Sequence, residues 1–246
     1  MSRFAAKTVI VTGGASGIGF ATAKRFGSEG ARVVIADRDA KHSSEAAEAI
    51  KAAGAPDAYG AVCDVSDEKA VSDCVAETLK RFGALDVVVN NAGLMTFTPI
   101  TELTADEWRR VLGVDLLGAF FFVKQAFLHM QRGGSIVNVA SIHAVETEPN
   151  VAPYAAAKAA VVSLTRSAAI EGKQRGIRVN AVLPGAIDTL MLWNNPNVKS
   201  GKEKVDRNMV GSADDVASAI AFLASDEAKF VQGAALVVDG GRLDRL

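Results

Sequence analysis

Tyr154 and Lys158 stand four residues apart in an alanine-rich run, and Ser141 lies thirteen residues before the tyrosine. A phenol, an ammonium and a hydroxyl gathered together can pass a proton to or from an oxygen undergoing reaction. On a helix, positions four apart share a face, so the polar ends of Tyr154 and Lys158 can converge. Ser141 follows the run Ser135-Ile136-Val137-Asn138-Val139. That places its hydroxyl at the carboxyl end of a strand, where open α/β sheets bind ligands, ready to hydrogen-bond a substrate oxygen.

Near the amino end, Thr12-Gly13-Gly14-Ala15-Ser16-Gly17-Ile18-Gly19 separates the β-branched run Thr8-Val9-Ile10-Val11 from a helix-forming stretch, Phe20 to Gly30. Strand, glycine turn and helix in that order make a phosphate site. Gly13 lets the chain leave the strand sharply, and Gly17 lets backbone N–H groups, with those of Ser16 and Ile18 around it, approach a pyrophosphate. Gly19 lets the helix pack closely. The phosphates then sit where unpaired amides and the helix dipole favour negative charge. No Gly-Lys-Ser/Thr follows, which argues against a mononucleotide loop.

The second strand, Arg32-Val33-Val34-Ile35-Ala36, ends in Asp37, about 20 residues beyond the turn, where this fold places the carboxylate that holds adenosine ribose hydroxyls. That favours NAD, because a 2′-phosphate would meet Asp37 as a like charge at a cost on the order of a few kcal/mol. Arg38 keeps NADP open, since it could pair with that phosphate. With a nicotinamide beside it, the Tyr154 phenol has two positive neighbours. Lowering its ordinary pKa of about 10 by about 3 units corresponds to roughly 4 kcal/mol of differential stabilisation.

These groups need a scaffold. Strands are expected near 7–12, 32–36, 58–62, 86–90, 134–139, 177–183 and 235–238, and helices near 18–29, 43–53, 67–82, 104–131, 151–174 and 213–224. The alternation predicts one α/β domain over 1–246, a doubly wound seven-stranded parallel sheet with helices on both faces. Residues 186–211 show no periodicity and read as a loop, a substrate lid. Two helices are apolar around much of their circumference, one through Leu112, Leu116, Phe120, Phe121 and Phe127, the other thinned by Ala155, Ala156, Ala157, Ala159 and Ala160. Each can pack on the sheet with one face and on a partner subunit with the other.

With 246 residues, 49% of them hydrophobic, and a formal net charge of −1, the chain can bury a large core and offers no basic clusters for nucleic acid or an anionic membrane. No run of 18 uninterrupted apolar residues occurs, and Met1-Ser2-Arg3-Phe4 leads straight into the first strand, so a cytoplasmic protein is expected. Cys63 and Cys74 read as reduced thiols. His42, His129 and His143 have no metal-ligand spacing, so no metal is expected.

Taken together, the sequence resembles the short-chain dehydrogenase/reductase family over essentially its whole length, which implies a Rossmann-type fold. The family's Thr-Gly-x-x-x-Gly-x-Gly is met by Thr12, Gly13, Gly17 and Gly19, its Asn-Asn-Ala-Gly by Asn90, Asn91, Ala92 and Gly93, and its Tyr-x-x-x-Lys by Tyr154 and Lys158. The active-site serine maps onto Ser141, the adenine contacts onto Asp64 and Val65, and the stretch after the sixth strand onto Asn180, Pro184 and Gly185. The resemblance implies that Ile187 and Thr189 hold the nicotinamide carboxamide, that Lys158 also holds the nicotinamide ribose, and that the assembly is a homotetramer built on the two apolar helices.

One position departs from the family. Where most members have asparagine in a Val-Asn-x-x-Gly context, this chain has Val114-Asp115-Leu116-Leu117-Gly118. Asp115 accepts hydrogen bonds but, ionised, donates none. It could pair with Lys158 and strengthen its hold, or compete with Tyr154 for it; activity with an altered pH profile is expected.

Substrate recognition is expected from residues around Ser141 and in the lid: Met95, His143, Glu146, Glu148, Trp193, Asn194 and Asn195. Their polarity could suit a sugar or polyol. The leading expectation is NAD-dependent oxidation of a secondary alcohol by Tyr154. The alternatives are an NADPH-dependent ketone reductase of the 3-oxoacyl-carrier-protein type and a dinucleotide-binding module without catalysis.

Overall fold

A computed structural model of the chain describes residues 2–201 and 205–243. Seven strands, all parallel, form one sheet in the order β3-β2-β1-β4-β5-β6-β7. They are β1 (Thr8–Thr12), β2 (Arg32–Asp37), β3 (Asp57–Val62), β4 (Val87–Asn90), β5 (Ser135–Val139), β6 (Arg178–Pro184) and β7 (Ala235–Val238). Valine and isoleucine dominate the central strands because both faces are covered: Val9 and Val11 join one core and Ile10 the other.

The first core is closed by α1 (Gly17–Ser28), α2 (Ala40–Ala52) and α9 (Ala213–Ala224), through side chains such as Phe26, Ile50 and Ile220. Packed on the other face are α3 (Glu68–Phe82), α5 (Gly118–His129) and α6 (Ala152–Arg175), which contribute Val75, Phe122 and Ala168. Because β1 lies between β2 and β4, the strand order reverses there, and the carboxyl ends open into a crevice.

Three boundaries differ from the sequence expectation. The helix expected over 104–131 is three pieces: α4 (Ala105–Leu112), a π-helical turn over Gly113–Leu117, and α5. The widened turn is centred on Asp115, whose buried carboxylate is held by groups outside the helix. Interruptions of this kind gather at functional sites. By length and composition the span Ala105–His129 could cross a membrane, yet Phe122, Val123 and Ala126 pack it on the sheet.

The segment expected to form a lid is not a bare loop. It contains α7 (Leu190–Trp193), α8 (Pro196–Lys199) and a 3₁₀ turn at Arg207–Met209, while 202–204 lie outside the described residues. Thr189 and Asn195 cap the two short helices, with Pro196 opening the second, and these local signals were present in the sequence. Finally, α2 starts at Ala40, earlier than expected, because Asp39 accepts a hydrogen bond from the His42 N–H.

Candidate active site

One cavity of about 730 Å³ runs along the carboxyl ends of the strands, lined at one end by Asp37, Arg38, Asp64 and Val65, and at the other by Ser141, His143, Tyr154 and Lys158. The glycine turn forms its floor. Gly13 and Gly17 have positive φ of 59° and 52°, a backbone state that side chains other than glycine rarely adopt. Gly19 serves a tighter contact than helix-on-sheet packing. A Cβ there would sit 2.2 Å from the Gly13 oxygen and 2.5 Å from Asn91 Nδ2.

Asn91 and its neighbours fix the turn. Asn91 Nδ2 donates to the oxygens of Thr12 and Gly13, and the Thr12 hydroxyl accepts from the N–H groups of Asn91 and Ala92. Behind this brace, Asn90 donates to Asn138 at 2.8 Å, and Asn138 donates to Thr165 on α6, also at 2.8 Å. The bracing roles of Thr12 and Asn138 were missed from sequence, because each needs partners from distant strands. Asn180, on β6, holds the segment before β7 by accepting from the Ala234 N–H and donating to the Val231 oxygen.

At the far left of the cavity, Asp37 ends β2 with its carboxylate accepting from the N–H groups of Ala15 and Asp39. Arg38 is exposed beside it. The Ser66 hydroxyl and N–H both donate to the Asp64 carboxylate and hold it below the usual carboxylate range, with Arg38 adding to the effect.

Ser141, Tyr154 and Lys158 are buried at the other end. Lys158 Nζ donates to the Val139 oxygen at 3.1 Å and lies 3.2 Å from Asp115 Oδ2, while Asp115 Oδ1 accepts from the Leu94 N–H at 2.9 Å. Burial opposes the Lys158 charge, but Asp115 and Tyr154 outweigh it and raise its pKa. For Asp115, burial wins and raises the carboxyl against the pull of Lys158 and the Leu94 N–H. The arrangement is that of a buried ion pair: removing a lysine this deep from water is costly unless a carboxylate accompanies it.

Tyr154 feels the same opposing influences. Burial pushes the phenol above 10, Asp115 pushes further in that direction, and only Lys158 and the Ser141 hydroxyl pull it down. The sequence expectation of a lowered pKa rests on Lys158 together with a bound nicotinamide; burial, which it did not weigh, and Asp115, which it left as a competitor for the lysine, act against both. Ser141 Oγ accepts from the His143 N–H at 3.1 Å, which leaves its own O–H to be donated elsewhere. The His143 ring meets the Tyr154 ring edge-on at 5.8 Å.

Of the other substrate candidates, Met95, His143 and Asn195 line the cavity, and Glu146, Glu148, Trp193 and Asn194 do not. Trp193 Nε1 donates to Asp188 at 2.6 Å, Asn194 accepts from Lys199, Glu148 accepts from Asn195, and Glu146 is exposed. The cavity is also lined by Leu94, which packs beside Tyr154, by Ile142, Leu190 and Met191, none of them singled out from sequence, and by Arg242 after β7. Pro184, Gly185, Ile187 and Thr189 line the same stretch, and a Cβ on Gly17 would lie 3.3 Å from Thr189. Among the described residues no group of three His, Cys, Asp or Glu side chains gathers as for a metal.

The residues fit an extended dinucleotide. Glycines without Cβ floor the middle, the helix α1 begins there with Ser16 making no side-chain cap, and the Asp37 carboxylate stands at one end.

Comparison with known proteins agrees. A family profile described as enoyl-(acyl carrier protein) reductase matches residues 13–242. The cis-4-hydroxycyclohexanecarboxylate dehydrogenase of Sinomonas cyclohexanicum is 44% identical, with 97% of each chain covered. The 3beta-hydroxysteroid dehydrogenase 1 of Eggerthella lenta is 40% identical, over 96% of this chain and 93% of that one. A short-chain dehydrogenase from Burkholderia cenocepacia, solved in complex with NADP, superimposes with a TM-score of 0.90 at 34% identity, covering 97% of this chain and 98% of the other.

Proposed function

The chain belongs to the short-chain dehydrogenase/reductase family and is an NAD(P)-dependent oxidoreductase of secondary alcohols and their ketones; from that premise we propose that Tyr154 is its acid/base, with NAD as the preferred cofactor. The carrying observation is that Ser141, Tyr154 and Lys158, drawn from two separate segments, line the cavity that also reaches Asp37. When bound, the nicotinamide accepts or returns the hydride. Ser141 donates its O–H to the substrate oxygen. Tyr154 takes the hydroxyl proton in oxidation and gives it back in reduction. Lys158 has three N–H groups, two of them directed to Val139 and Asp115, and the third is left for a ribose hydroxyl.

Gly13, Ser16, Gly17, Ile18 and Gly19 would hold the pyrophosphate; Asp64 and Val65 the adenine; Asn91, Ala92 and Gly93 the stretch between; Pro184, Gly185, Ile187 and Thr189 the carboxamide side. NAD is preferred because Asp37 would face a 2′-phosphate as a like charge. The substrate is a secondary alcohol on a compact skeleton. Leu94, Met95, Ile142 and Met191 offer apolar walls, with His143 and Asn195 as polar anchors. A cyclic alcohol suits this lining, in keeping with the names of the Sinomonas and Eggerthella relatives. A polyol is the second reading, favoured by a 37% identical relative named sorbitol dehydrogenase from Cereibacter sphaeroides.

The assembly is a homotetramer. Leu117, Phe120 and Leu128 on the π turn and α5, with Ile170 on α6, leave apolar surface exposed. The protein works in the cytoplasm, consistent with Cys63 and Cys74 as buried free thiols. Fluorescence titration of both cofactors, a panel of a cyclic alcohol, a polyol and a β-ketoester, and light scattering for the oligomer test these statements. Tight NAD binding without turnover of any of the panel would support the non-catalytic alternative instead.

A further inference from the structure

We infer that Asp115 is a positioning residue that neutralises Lys158 and thereby holds Tyr154 in its phenol form to higher pH, so that the site is poised for carbonyl reduction near neutrality and needs alkaline conditions to oxidise. The inference rests on the reading of Tyr154 as acid/base and adds the sign that the sequence left open.

The geometry carries it. The Asp115 side chain is 0% exposed and that of Lys158 4%, with 3.2 Å between Oδ2 and Nζ. Asp115 Oδ1 is fixed by the Leu94 N–H, so the second oxygen faces the ammonium and cannot turn away without breaking that bond. Gly93 closes the other side: a Cβ there would lie 3.0 Å from Asp115 Oδ2 and 3.2 Å from Lys158 Nζ. The titratable groups facing Tyr154 are Lys158 on its own helix, Asp115 from the π turn and His143 from the turn after β5, with the Ser141 hydroxyl beside them. A lone ammonium would stabilise a phenolate, whereas a carboxylate–ammonium pair sums to zero and stabilises it far less.

Asparagine in the same position would keep Oδ1 for Leu94 and turn an N–H₂ toward the ammonium, donor against donor. The Lys158 charge would then be uncompensated and would act on Tyr154 at full strength. In alcohol oxidation the phenolate gains the hydroxyl proton and releases it to solvent afterwards; in reduction the phenol gives its proton to the substrate oxygen. Asp115 shifts the balance between these two starting forms and leaves the stoichiometry unchanged.

The chain has two tyrosines, and burial pushes both up, Tyr59 to about 12, so the phenolate absorbance of Tyr154 is isolated by subtracting a Tyr154→Phe blank that retains Tyr59. The experiment is a spectrophotometric pH titration of native protein and Asp115→Asn, each with Tyr154→Phe as blank, alongside kcat/KM for alcohol oxidation against pH. Both the titration and the rising limb of the rate profile should move to lower pH by about one unit in Asp115→Asn, giving about tenfold faster oxidation on that limb. An unmoved titration, or a move to higher pH, overturns the inference. The titration needs no substrate, so it stands even if the substrate class is wrong. Turnover by Tyr154→Phe, in contrast, would sink the acid/base reading itself. If Asp115→Asn is poorly folded by circular dichroism, Asp115→Ser replaces it and must move the titration the same way.

Discussion

The two ends of the cavity are built on different plans. The proposed adenine end is assembled largely from backbone, a glycine turn and the ends of β2 and β3, with the Asp37 and Asp64 carboxylates as its polar side chains, all within strand–turn–helix units contiguous in sequence. At the proposed substrate end the walls come from side chains of five stretches, Leu94 and Met95, Ser141 to His143, Tyr154 and Lys158, Leu190 to Leu192, and Asn195. Backbone sites follow from where the sheet ends. Side-chain sites depend on long-range packing, and here that packing places a carboxylate against the key lysine.

The sharpest way to separate the ends is Tyr154→Phe, which removes the transferable proton and nothing from the adenine end. A fall in kcat of about 10³-fold is expected, with NAD affinity within about threefold of native, read by steady-state kinetics and fluorescence titration. Comparable loss of cofactor affinity would mean the two ends are not separable.

Gly19→Ala attacks the other end. The added Cβ meets the backbone oxygen of Gly13, and Asn91 Nδ2, the end of a side chain held by its bonds to the Thr12 and Gly13 oxygens, so the turn must shift. A stability loss of about 1–3 kcal/mol with a matching fall in dinucleotide affinity is expected, measured by thermal melting and titration. If NAD binding survived intact, the floor of the cavity would not be the phosphate site.

Asp37→Ser tests electrostatics at the same end. Removing the like charge should lower the NAD over NADP preference by about 10- to 100-fold, mostly by admitting NADP, as two-cofactor titrations would read. An unchanged ratio would place cofactor choice on Arg38 alone.

The same contrast governs what the sequence disclosed. The sheet, its seven strands and the glycine turn were legible because β-branched runs and glycines act locally, and Ser141, Tyr154 and Lys158 because their spacing survives folding. The break at Gly113–Leu117 was not legible in the helical periodicity; pairing of Asp115 with Lys158 was one of the alternatives the sequence offered, but nothing in Val114-Asp115-Leu116 says that the Leu94 N–H will hold the other carboxylate oxygen from outside the helix. Likewise Glu146 and Asn194, polar and near Ser141 or in the lid, looked suited to substrate, but polarity there serves solvent and lid bonds. Thr189 and Asn195-Pro196 did announce two short helices, and a capping argument would have found them.

The smallest expected effect tests which of these two plans the lid obeys. Its base is closed by pairing of Ile187 with Gly211, where the Asp188 N–H donates to the Gly211 oxygen at 2.8 Å and the Gly211 N–H donates to the Ala186 oxygen. Trp193 ties α7 to that base through Nε1 and Asp188, with the Arg207 guanidinium 5.0 Å from its ring centre. The tryptophan therefore braces the lid and does not wall the cavity. Trp193→Phe keeps a ring and loses the N–H donor, worth about 1 kcal/mol, so KM should rise about fivefold while kcat and NAD affinity hold. A brace weakens closure over every substrate alike, so the rise should be equal for a cyclic alcohol and a polyol. Unequal KM shifts would return Trp193 to the substrate platform that its position in the sequence suggested.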